Sequence, residues 1–232
     1  MLKTIAVNDD RFTALIIGEA GIGKTSLIRT IPEDEKVCVL SAESGLLCIR
    51  DLVKSKHVTG YEITSFADMK EAFVLLQSEK FKEHYKWIFI DSLTEIASRC
   101  VEAMKAKYPK KADSFPMWGE YNDLMTAMIK GYRDITPYSV VFTCLPSVEK
   151  DETNRRYVAP SISGSGLKER LTSYFDEVFY MTAQKNSDGV DERVFITQPF
   201  DRYPAKDRSG ALDLIEQPNL ANIKNKIFTT NN

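Results

Sequence analysis

The sequence predicts an α/β protein: a mainly parallel central sheet flanked by helices, with an antiparallel hairpin added late in the chain. Three observations predict it. Four short apolar runs, at 12–17, 37–40, 87–90 and 139–144, lack the apolar–polar alternation of a one-sided sheet and suit strands covered on both faces. Amphipathic helical stretches separate these runs, the arrangement that produces parallel crossovers. The first run feeds directly into Gly18-Glu19-Ala20-Gly21-Ile22-Gly23-Lys24-Thr25, a complete G-x-x-x-x-G-K-T phosphate-binding loop, with a helical pattern from Ser26 onward.

Taken in order, residues 13–17 form the first core strand. The helix after the glycine-rich loop stops by Ile31-Pro32, because proline disfavours helix at the residue before it. Residues 32–36 are a solvated loop. The second strand, 37–40, ends in Ser41-Ala42-Glu43-Ser44-Gly45. A short amphipathic piece covers 46–53, and 61–63 reads as an edge strand. Ser65 caps a helix that places Met69, Ala72, Phe73 and Leu76 on one face. The third core strand, 87–90, runs into Asp91-Ser92, and helix resumes over 93–107. Residues 108–118 contain two prolines and read as irregular. A helix over 119–133 follows, with Tyr121, Leu124, Met125, Met128, Ile129 and Tyr132 at helical spacing. Strand 139–144 leads into a polar segment, 145–168, whose length marks it as a candidate functional loop. Residues 177–181 and 194–197 read as a hairpin around 185–189. No repeat or low-complexity linker divides the chain, so 1–232 is expected to be one domain, with its core at about 12–212 and a tail at 213–232.

Composition narrows the function. With 232 residues, 43% hydrophobic and 28% charged, the chain has the balance of a globular protein. A net charge of −2 gives no global attraction to nucleic acid, so any such site must be a local basic patch. No signal peptide or membrane span is recognisable, and a cytoplasmic protein is expected. Cys38, Cys48, Cys100 and Cys144 are scattered without C-x-x-C spacing; three lie in apolar or helical patterns and read as buried small hydrophobes. His57 and His84 stand alone and read as surface residues.

The phosphate loop calls for ATP and Mg²⁺. Glycines let consecutive backbone N–H groups turn inward on a polyphosphate, and the start of the next helix adds positive potential. Lys24 would reach the β- and γ-phosphates, Thr25 would offer its hydroxyl to Mg²⁺, and Gly18 to Ser26 would line the loop. Asp91, ending an apolar strand, reads either as a metal-holding Walker B aspartate or as a cap for the next helix. Glu43, ending the strand after the loop, reads either as the general base on water or as an exposed acid. Lys206-Asp207-Arg208-Ser209-Gly210 is an ordinary basic turn, or else two cations on one side of an extended segment that reach phosphates, including those held by a neighbouring subunit.

Together, the phosphate loop, Ala42-Glu43, Ile90-Asp91-Ser92 and the late Lys-x-Arg-x-Gly resemble the RecA-like P-loop ATPase core over about residues 12–212. Within it, the chain is similar to phage Sak-type RecA-related recombinases, also described as AAA ATP-binding phage proteins. The resemblance implies that Glu43 is the catalytic glutamate. It also implies that Lys206 and Arg208 reach the ATP of an adjacent subunit, as the similar K-N-R-x-G of RadA and DnaB-type helicases does. A ring or filament with ATP between protomers follows from this. Where many relatives place Gln or His after the fourth core strand, this chain has Thr143-Cys144-Leu145-Pro146; Thr143 and Ser147 are the candidate substitutes.

Single-stranded DNA binding needs cations for phosphates and flat side chains for stacking. Lys107, Lys110 and Lys111, with Tyr108, Phe115 and Trp118, supply both after the third strand; Arg155, Arg156 and Lys168, with Tyr157, do so after the fourth. By resemblance these are the two DNA-binding loops; on composition alone they are also solvated surface loops. The expectation is therefore a Mg²⁺-dependent, DNA-stimulated ATPase that supports phage recombination or strand annealing, with a single-strand DNA-binding protein as the natural partner. A P-loop kinase or motor acting on another substrate, and a non-hydrolysing assembly switch, are the rival readings.

Overall fold

A computed structural model describes residues 10–43, 45–110 and 114–229. Its strands are β1 (Thr13–Gly18), β2 (Val37–Ser41), β3 (Val58–Glu62), β4 (Trp87–Asp91), β5 (Ser139–Cys144), β6 (Pro146–Lys150), β7 (Arg156–Pro160), β8 (Glu177–Lys185), β9 (Asp191–Ile196), β10 (Lys206–Asp207) and β11 (Ile215–Glu216). The α-helices are α1 (Arg50–Lys54), α2 (Phe66–Leu76), α3 (Glu79–His84), α4 (Leu93–Lys107), α5 (Phe115–Asp134), α6 (Ser165–Leu171) and α7 (Leu220–Thr229).

The main sheet runs in the order β11-β9-β8-β1-β5-β4-β2-β3, with β10 also on β8. From β8 to β3 every neighbour is parallel, while β9 and β10 lie antiparallel to β8 and β11 antiparallel to β9. Pleating explains why the core strands read as unbroken apolar runs. Leu15 and Ile17 face one buried cluster, and Ala14 and Ile16 face the other. The first cluster is covered by α2, α4, α5 and α6. The second is covered by two short 3-10 helices, Thr25–Thr30 and Leu46–Ile49, and by α7.

Several expectations need correction. The segment 145–168 is not a loop: β6 and β7 pair as an antiparallel hairpin, and α6 follows. Its strands alternate poorly because most of their side chains are exposed or half-exposed. What builds the turn is Asp151, whose Oδ1 accepts from the backbone N–H groups of Thr153 (2.8 Å) and Arg155 (2.9 Å), with Asn154 in the left-handed region at φ 61°. Helix α5 starts at Phe115, earlier than the expected 119, because Pro116 sits in its first turn, where its missing N–H costs nothing. The tail is part of the fold: Leu220, Ile223 and Ile227 of α7 are buried in the second cluster. His57 is buried, not on the surface, with its Nε2 at 3.1 Å from the Glu35 carbonyl; the loop before β2 closes over it. Among the described residues no helix is long and apolar enough to cross a membrane.

Helix α2 starts with the expected serine. Ser65 Oγ accepts from the Asp68 N–H at 3.3 Å, while the Asp68 carboxylate accepts from the Ser65 N–H at 2.9 Å, closing a reciprocal capping box. Ser65→Ala should therefore lower unfolding stability by about 1 kcal/mol, read by urea denaturation with an unchanged slope.

Candidate nucleotide-binding site

The strands that carry the sequence motifs end on the same edge of the parallel sheet, the edge at which open α/β sheets bind ligands. Gly18 leaves β1 beside β8, and a side chain there would meet the Met181 carbonyl oxygen at 2.8 Å, so only glycine fits. Gly21 (φ 76°) and Gly23 (φ 107°) occupy conformations that L side chains rarely adopt, which lets the loop fold back on itself. Among the described residues the N–H groups of Gly21, Gly23 and Lys24 have no acceptor in the chain. They are donors available to an anion. Glu19, Ala20 and Gly21 are exposed, Ile22, Gly23, Thr25 and Ser26 half-buried.

Lys24 is buried. Its Nζ donates to the carbonyls of Gly18 (2.6 Å) and Glu19 (3.0 Å), bridging the loop from within. Burial lowers its pKa, and the nearby Asp91 and Glu43 carboxylates act against that shift. The ammonium is thus gathered with two acids around one small volume.

The helix-cap reading of Asp91 does not hold. The cap of α4 is Ser92, whose Oγ accepts from the Glu95 N–H at 3.4 Å, which leaves the Asp91 carboxylate to face the loop. Its Oδ2 accepts from Thr25 Oγ1 at 2.6 Å and its Oδ1 from Thr143 Oγ1 at 2.6 Å. Glu43, exposed at the end of β2, accepts a short hydrogen bond from Ser92 Oγ. Thr25 and Asp91 form an all-oxygen pair suited to a hard cation. They would hold Mg²⁺, which shields phosphate charge during transfer. Among the described residues no cluster of three or more His, Cys, Asp or Glu side chains forms a self-sufficient metal cage.

A family profile described as an AAA domain matches residues 10–209. The chain belongs to the AAA domain family. Membership makes it a P-loop protein with nucleotide-dependent ATPase chemistry, and the match spans every strand named above except β11. A search among curated proteins returns no significant match.

The other sequence-predicted residues lie elsewhere. Lys206 pairs in register with Val178, level with Leu15, so it sits toward the opposite edge of the sheet from its own phosphate loop. Its Nζ donates to the Thr172 carbonyl at 3.0 Å, and Arg208 is ion-paired with Asp176. Lys107 is held by Glu120 at 2.5 Å and Lys168 by Glu149 at 2.7 Å, so both are neutralised locally. Arg155 and Arg156 are exposed at the β6–β7 turn, where the Thr153 hydroxyl and, after it, the Arg155 charge help hold the Asp151 carboxyl below its usual range, and Lys110 is exposed. Lys111 lies outside the described residues. Of the two candidate substitutes for the Gln or His after the fourth core strand, Ser147 donates to Glu149 at 3.0 Å and Thr143 donates to Asp91 at 2.6 Å. Two contributors escape sequence reasoning: the hydroxyl of Ser92, which reaches Glu43, and Arg193 of β9, whose guanidinium packs against Gly23.

The Lys206–Gly210 turn rests on a buried acid. Glu177 is pushed up to about 8, mainly by burial and next by the Asp207 charge. Native Glu177 thus keeps its proton to about pH 8, whereas the unfolded chain releases it near 4.5, so stability is full below that lower value and is lost as pH rises through the native one. The melting temperature should fall by several degrees between pH 5 and pH 9, and Glu177→Gln, neutral throughout, should flatten that decline.

Proposed function

We propose that this AAA-family chain is a Mg²⁺-dependent ATPase of RecA-like type that binds single-stranded DNA and supports phage homologous recombination or strand annealing. The observation that carries the reading is Asp91 accepting from both Thr25 and Thr143 while Glu43, on the neighbouring strand, is steadied by Ser92. Those contacts support a metal-holding role for Asp91 and a separate role for Glu43 at the mouth of the same loop. Lys24 binds phosphate, Thr25 and Asp91 keep the cation, and Glu43 orients and deprotonates water. Because Lys206 and Arg208 point away from their own loop, their service is to an adjacent copy, with ATP between protomers of a ring or filament. Their pairing with Thr172 and Asp176 describes the chain alone; assembly exchanges those partners for phosphate oxygens. Arg155, Arg156 and the half-exposed Tyr157 make the β6–β7 turn the favoured DNA contact, with Lys110 beyond α4 as a second. A single-strand DNA-binding protein is the expected partner, and host cytoplasm the expected setting.

Steady-state ATPase rate, with and without single-stranded DNA and across protein concentration, tests this reading. Rate should rise with DNA and more than linearly with protein. Lys24→Ala should drop turnover to background with the melting temperature intact, and Glu43→Gln should cost about 10²–10⁴ in kcat with nucleotide still bound. Turnover indifferent to DNA but dependent on a small acceptor would replace this reading with a kinase. The double variant Arg155→Ala, Arg156→Ala should abolish DNA stimulation and reduce the slope of log affinity against log salt by about 1.4.

A further inference from the structure

The structure assigns Arg193 a role as a second cation for the nucleotide's phosphate chain, supplied by the same polypeptide that holds the loop. This role rests on the nucleotide reading of Gly18 to Thr25. Arg193 pairs in register with Ala183, and Phe195 with Met181, the residue beside Gly18. Arg193 therefore stands just past the level at which β1 ends. Side chains two apart on a strand share a face, and Phe195 and Met181 belong to the cluster beneath the phosphate-loop helix. Arg193 thus projects on the loop's side of the sheet. Its guanidinium sits against the loop at Gly23: a side chain placed there would fall 2.9 Å from Nη1, 3.3 Å from Cζ and 3.6 Å from Nε.

What it lacks is an anion. The acids next to it on β9 are engaged elsewhere: Asp191 with Lys185 at 3.4 Å, and Glu192 as acceptor from Gln217 Nε2. Among the described residues the Arg193 guanidinium makes no hydrogen bond or ion pair, although it is an exposed, five-donor group. A guanidinium binds phosphate oxygens in pairs more readily than any other side chain. Here it is held against the glycine that precedes Lys24, beside backbone donors that have no acceptor among the described residues. Lys24 grips from inside the loop and Arg193 from its outer wall. The ligand class is a polyphosphate, the tail of a nucleoside triphosphate or diphosphate, and not the nucleoside.

Calorimetric titration of the full chain with ATP, ADP and adenosine, in the presence of Mg²⁺, tests this. Arg193→Gln should weaken ATP binding about tenfold, with Arg193→Lys intermediate, adenosine unaffected and the nucleotide-free melting temperature unchanged. The wild-type chain gives an independent measure: an arginine-specific dicarbonyl should modify Arg193 rapidly without ligand and slowly under saturating ATP. Equal ATP affinity in Arg193→Gln, or modification at the same rate with and without ATP, overturns the role while leaving the loop's own function standing. If Arg193→Gln loses ATP affinity only in proportion to a lower nucleotide-free melting temperature, Arg193 is a brace for the loop and the role is equally overturned. A wild-type chain that binds no nucleotide removes the loop reading and this one with it.

Discussion

The carboxylate of Asp91 is the contact on which the site depends. It ends β4, which is separated from β1 by β5, so it must act across the width of an intervening strand. Thr143, on that intervening strand, takes one of its oxygens, and Thr25, just past the loop, takes the other. Three chain segments far apart in sequence are thereby locked at one point. The lock is buried on the Thr143 side, where a hydroxyl without a partner would itself be costly, so each group secures the other. Everything nearby is built around this: Ser92 takes over the helix cap, which frees Asp91, and its hydroxyl also serves Glu43.

The distribution of cations follows a similar logic of engaged and unengaged groups. Lys107 and Lys168 look basic in the sequence, yet each is answered by a glutamate that the fold brings alongside. Arg155 and Arg156 keep their charge exposed because the acid in their turn, Asp151, spends its acceptors on backbone N–H groups. Around Lys206 and Arg208, Asp207 is likewise occupied, accepting from the N–H groups of Gly210 at 2.9 Å and Leu212 at 3.0 Å. Acids in these turns act as scaffold: Arg155 and Arg156 stay exposed, while Lys206 and Arg208 turn to Thr172 and Asp176 instead.

Much of this was legible in the sequence, and the pattern of success is physical. Strands covered on both faces announce themselves as apolar runs, so β1, β2, β4 and β5 were placed nearly to the residue. Helix α4 matches the expected 93–107 because its periodicity is local, although its cap is Ser92 and not Asp91. The β6–β7 hairpin was not placed, because its faces are mostly solvated and its turn depends on one aspartate rather than on hydrophobic spacing. The same holds for α7, whose buried stripe makes sense only against a face built 190 residues earlier: Leu220 N donates to Thr30 Oγ1. In the site, residues belonging to a motif were found and residues that meet it through space were not. Gly23 is visible from its neighbours in sequence, whereas Arg193 becomes visible only once β9 lies beside β8.

The order of strands also sets a timetable. Strand β1 hydrogen-bonds only to β5 and β8, the nearer of which begins at Ser139 and the farther at Glu177, while β2, β3 and β4 can pair among themselves by Asp91. During synthesis at about 5–20 residues per second, the signature loop emerges first but waits roughly 10–30 s for its second flanking strand. Its apolar stem lacks that neighbour for the interval, so a nascent chain stalled between β5 and β8 carries a complete nucleotide motif walled on one side only.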